Sequence, residues 1–140
     1  MSVIMVVWLS SASAQKQANK NVPANVSAAF AKLYPNVKDA KWHKEEGYYE
    51  AKFMEDGKEM AVHLDRTGEL LQREYYIKAT ELPQNVQNYL NEHYPKANYS
   101  EASKMVNPKG VIHYEVEVKE KELLFDQEGT FLKEEKEDKD

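Results

Sequence analysis

The chain contains no cysteine. That excludes a disulfide framework, a thiolate metal site, a cysteine nucleophile and the attachment point of a lipoprotein anchor. Glycine and proline are scarce, at five each in 140 residues, and no glycine-rich phosphate loop or Ser-His-Asp signature appears. Basic charge is not in surplus. Against 24 Asp and Glu stand 19 Lys and Arg, a formal charge of −5, which argues against nucleic acid and anionic lipid, since both attract clustered Lys and Arg. Long apolar runs are missing too. Residues 3–9 (Val-Ile-Met-Val-Val-Trp-Leu) are too few to span a bilayer, so no stable membrane insertion of the mature chain is expected. With no catalytic constellation in view, the chain reads as a protein that is not an enzyme and needs no cofactor.

What is present begins with an export signal. The apolar run leads into Ser10-Ser11-Ala12-Ser13-Ala14, small residues of the kind a signal peptidase reads, so residues 1–14 are expected to be a signal peptide. The mature product would then be periplasmic or secreted. Residues 15–21 are polar and read as a flexible leader, and 136–140 as a charged tail, with solvated character from Lys133 onward.

Between them one stretch occurs twice. Val22-Pro23-Ala24-Asn25-Val26 closing at Tyr34-Pro35 returns, 60 residues later, as Leu82-Pro83-Gln84-Asn85-Val86 closing at Tyr94-Pro95. A single domain over 22–135 is therefore expected, built from repeats 22–78 and 82–135. Each half alone would be marginal in size, so the halves should share a core. Val26, Ala29, Phe30 and Leu33 recur at helical spacing, as do Val86, Tyr89, Leu90 and His93. The residue before a proline is pushed out of the α region, so both helices should end at Tyr-Pro. The period then falls to two, with Tyr49, Ala51 and Phe53 alternating with Tyr48, Glu50 and Lys52, and Met60, Val62 and Leu64 with Glu59, Ala61 and His63. Asp56-Gly57 supplies a hairpin turn. The expected fold class is α+β: two tandem repeats of one helix plus a four-stranded antiparallel meander, helices on one face of the sheet. Whether the two half-sheets join is left open.

These features resemble a known family, the PepSY-like, beta-lactamase-inhibitor-like proteins exported by Bacteroidetes-type bacteria. The resemblance rests on Leu82-Pro83-x-x-Val86, on Tyr-Pro closing each helix, on Trp42 followed by Tyr49-x-x-x-Phe53, and on Leu64-Asp65-x-x-Gly68 repeated as Phe125-Asp126-x-x-Gly129. It covers about residues 22–134. Ala102 stands where the counterpart of Trp42 would be. The resemblance implies helices on one face of an antiparallel sheet with the other face open, and no catalytic site.

Candidate chemistry is sparse. Of His43, His63, His93 and His113, no two stand at the i, i+3 or i, i+4 spacing of a helical metal site, and no metal is assigned; His93 reads as a partly buried packing residue. The Asp-x-x-Gly turns lack the ligand density of a calcium loop, so each aspartate should bond its own turn. The open face should carry Tyr48, Glu50, Lys52, His63, Gln72, Glu74 and Tyr76, with His113, Glu115 and Glu117 from the second repeat. Tyrosine mixed with both signs of charge suits a protein-binding surface. The expected binding residues are Tyr48, Glu50, Lys52, His63, Tyr76, His113 and Glu115, and the expected partner is a protein or peptide of the cell envelope. An envelope small-ligand or metal-ion binding protein is one alternative, and a peptidase or enzyme inhibitor-like protein another.

Overall fold

A computed structural model describes residues 21–99 and 101–136. The expected signal peptide, leader residues 15–20 and tail residues 137–140 lie outside the described residues. Helix α1 spans Ala24–Leu33 and α2 spans Gln84–His93. Each begins directly after a proline, whose carbonyl accepts the first helical N–H groups, and each closes at the tyrosine before the second proline. The strands are β1 (Lys41–Lys44), β2 (Tyr49–Glu55), β3 (Lys58–Leu64), β4 (Leu70–Tyr76), β5 (Glu101–Val106), β6 (Ile112–Val118), β7 (Lys121–Asp126) and β8 (Phe131–Lys136). The charged stretch from Lys133 to Lys136, expected as tail, is thus paired to β7.

The expected fold class needs correction. Instead of two four-stranded meanders, all eight strands form one antiparallel sheet in sequential order, and β4 pairs with β5 across what was read as the repeat boundary. Among the described residues the molecule is mostly sheet, with two α-helices laid on it and a short 3-10 turn at Ala79–Glu81 before α2. The shared core is corrected as well. Val26 and Phe30 of α1 pack with Ala51, Phe53, Met60, Val62 and Leu64 in one cluster, while Val86 and Leu90 of α2 pack with Ala102, Val116, Val118, Leu123 and Phe125 in another. What the halves share is the sheet. Ala102 is buried in the second cluster opposite Val116, as Trp42 stands opposite Ala51 in the first.

The two Asp-x-x-Gly turns lock the helices to the sheet. Asp65 Oδ1 accepts from the Thr67 N–H, the Thr67 hydroxyl and the Glu69 N–H, so the aspartate bonds its own turn. Gly68 and Gly129 have φ of 89° and 84°, and a Cβ on either would come within 2.9 Å of a helix side chain, Ala29 or Asn85. Asn25 and Asn85 in turn donate from Nδ2 to the carbonyls of Arg66 and Glu128, both at 3.0 Å. The repeated Asn and Gly are therefore two sides of one contact, used twice.

With the helices covering one face, strand alternation sends the other set of side chains to the opposite face. Register shifts fall at His63/Leu64 and at Leu124/Phe125, one in each half. Bulges of this kind bend a strand and re-aim its side chains.

Candidate functional site: an acidic hollow on the open sheet face

The face away from the helices encloses a hollow of about 460 Å³. Nine glutamates line it against two lysines, with His63, Gln72, Tyr48 and Tyr76 completing the wall. Its floor comes from three adjacent strands. Glu50 lies opposite His63 across β2 and β3, His63 opposite Gln72 across β3 and β4, and Glu74 is two residues further along β4. His63 and Glu74 are buried although polar.

Their contacts explain how burial is tolerated. His63 Nε2 lies 3.1 Å from Glu74 Oε2 and 3.4 Å from Glu50 Oε2, and Nδ1 lies 2.9 Å from the Gln72 side-chain amide. Tyr48 stacks on the imidazole at 4.5 Å between ring centroids. Burial works against a charged imidazole, but the hydrogen bonds to Glu50 and Glu74 and their charges outweigh it and push His63 up to about 9. For Glu50, burial likewise opposes ionisation, and the His63 hydrogen bond with the His63 and Lys52 charges holds the carboxyl below its usual range.

Glu115 is different. Burial first, then the nearby Glu74 and Glu122 carboxylates, push it up to about 8, with no hydrogen bond to its side chain among the described residues. Burial among carboxylates also raises the hydroxyls of Tyr48 and Tyr76. Lys52 sits over the Tyr76 ring, 4.5 Å from its centroid.

Six of the seven residues expected to bind, Tyr48, Glu50, Lys52, His63, Tyr76 and Glu115, line this one hollow. His113 stands apart in an adjoining recess with Met105 and Leu124. His93 is exposed rather than partly buried, stacked on Tyr89 at 4.0 Å with Nδ1 3.0 Å from the Tyr89 carbonyl. A test of local spacing could not find the contact of His63 with Glu50 and Glu74. The partners are 13 and 11 residues away and meet only through strand register.

One continuous sheet with a helix on each half defines a fold, and comparison with known proteins agrees. The family described as "Putative beta-lactamase-inhibitor-like, PepSY-like" matches residues 8–72 and again 71–133, and the chain belongs to it. Solved structures from Bacteroides share the fold. One from Bacteroides eggerthii, whose description reads "putative periplasmic proteins", is 20% identical, covers 82% of this chain and 88% of that one, and has a TM-score of 0.67. A DUF2874 family protein from Bacteroides uniformis is 24% identical over 82% and 89% of the two chains, at 0.66. A BLIP-like protein from Bacteroides fragilis is 26% identical over 82% and 86%, at 0.58. None of the curated proteins matches. Among the described residues no helix is long and apolar enough to cross a membrane.

Proposed function

We propose that this protein is a non-catalytic binding module of the bacterial cell envelope, whose acidic hollow receives a cationic segment of a protein or peptide. The observation that carries this reading is the lining of the hollow. Near neutral pH, with Glu115 largely protonated and His63 cationic, the other eight glutamates still outnumber the two lysines and the imidazolium and focus a negative potential in a recess, and Tyr48 and Tyr76 at its wall offer rigid contact area to the aliphatic stem of a lysine or arginine. Among the described residues lining it, the only hydroxyls are those of Tyr48 and Tyr76. The periplasmic description of the Bacteroides eggerthii relative and the small-residue stretch after the apolar N-terminal run support an envelope location. The inhibitor-like wording of the family fits the same surface as the case in which the bound partner is an enzyme.

Fluorescence anisotropy of labelled oligolysine and oligoglutamate, with EDTA present throughout, tests the reading. Oligolysine should bind, with affinity falling as salt rises. Glu101→Gln with Glu117→Gln, or Tyr48→Ser with Tyr76→Ser, should weaken it at least ~10-fold, while the fold stays intact by circular dichroism. Equal binding of both peptides, or binding indifferent to these substitutions, would contradict it.

A further inference from the structure

At the floor of the hollow, one ligand atom each of Glu50, His63 and Glu74 lies within 4.8 Å of the other two. Zinc-type ions bind imidazole nitrogen and carboxylate oxygen at about 2.0–2.1 Å, so two tetrahedral ligands of one ion stand about 3.3 Å apart. The imidazole-to-carboxylate separations of 3.1 and 3.4 Å already match that spacing. We propose that Glu50, His63 and Glu74 hold a first-row divalent cation, with at least one further coordination position open to the hollow.

Three observations carry this beyond a set of neighbouring acids. The first is an unmet acceptor. Glu74 is buried, one of its oxygens faces His63, and the other accepts no hydrogen bond among the described residues. Buried polar atoms are normally satisfied, so the second Glu74 oxygen, beside His63 in the hollow, is an acceptor available to a further polar ligand. The second is the support behind the imidazole. Gln72 meets Nδ1 at 2.9 Å, and its amide can present either its N–H or its carbonyl there, so it can orient the ring when Nε2 gives up its proton to a metal.

The third is an internal comparison. In the second half Glu115 lies opposite Leu124, and Leu124 opposite Lys133, in the register that Glu50, His63 and Gln72 keep in the first. A leucine thus satisfies the fold at this position. The imidazole of the first half is surplus to what the sheet requires, and its two carboxylate neighbours give that surplus a chemistry. Histidine with two carboxylates suits zinc, manganese or iron better than calcium, which takes oxygen ligands.

The inference does not depend on the peptide reading, because the peptide assay is run in EDTA and the metal assay without peptide. Calorimetric titration of the chain from Gln15 onward with zinc chloride should show one ion per chain. Cobalt should give the visible absorption of a four- or five-coordinate site. Glu50→Gln and His63→Leu, which remove ligands, should each weaken zinc binding by more than the ~10–100-fold typical of losing a supporting residue, and His93→Ala, an exposed histidine on helix α2, should leave it unchanged. His63→Leu copies the residue that the second half tolerates; if it fails to fold, Glu50→Gln decides. No uptake of zinc, or uptake that Glu50→Gln leaves intact, would overturn the proposal and leave the cluster as a hydrogen-bonded floor.

Discussion

His63 concentrates the chemistry of the molecule at the residue scale. Its imidazole is buried, stacked under Tyr48 and flanked by two carboxylates, so in the metal-free protein it is held as a cation up to about pH 9. A folded-state value above the ordinary histidine range means stability that is complete below about pH 6.5 and is lost as pH rises through 9. Glu115, raised by burial to about 8, acts in the same direction at lower pH, from the ordinary carboxylate range up to 8. The groups facing the pair are Glu50, Glu74, Glu101 and Glu122, with Lys52 and His43 nearby. In EDTA, the melting temperature should therefore fall between pH 5 and 9. Glu115→Gln should remove the lower part of that fall and leave the upper part, set by His63 and amounting to at most about 3 kcal/mol. A flat profile for the unsubstituted protein would show that neither group is held as described. Much of this residue-level picture was legible in advance. Alternation alone put Tyr48, Glu50, His63, Gln72, Glu74 and Glu115 on one face. Hidden from sequence was which of them touch, because that depends on register and on the bulge after His63.

At the scale of elements, the helices and the turns beneath them form the repeated contact. Helix ends were readable from Tyr-Pro and hairpins from Asp-Gly, since both are local rules. The function of Asn25 and Asn85 was not, because their partners Arg66 and Glu128 lie 41 and 43 residues away. The account predicts that Gly129→Ala destabilises the fold by about 1–3 kcal/mol, since the residue needs a positive φ and its Cβ would meet Asn85 and Val86. Gly57→Ala, with positive φ but open space around its Cβ, should cost less. Chemical denaturation of the two variants checks the order, and the reverse order would remove the helix contact as the cause. The edge strands β1 and β8 are short and carry mostly Lys, His and Glu, a composition that discourages pairing with a second sheet.

At the scale of the molecule, the continuity of the sheet decides what the hollow is. Had the two repeats closed off separately, Glu50, His63 and Glu74 would belong to one unit and Glu101, Glu115 and Glu117 to another. The pairing of β4 with β5 brings both sets around one recess. Sequence reasoning saw the repeat but not this join, since β5 carries little alternation of its own and pairs through residues 27–33 positions away from their partners in β4. The two hydrophobic clusters show the same division of labour: each helix stabilises its own end, and the sheet unites the polar face. In the proposed role this united face, and not the helices or the edges, receives the cationic partner. Amide chemical-shift mapping of the isotope-labelled protein with oligolysine tests it most directly. The account predicts shifts confined to residues around Tyr48, Tyr76, Glu101 and Glu115, with Phe30, Leu90 and the helices unmoved; shifts centred on α1, α2 or the outer edge of β1 would contradict it.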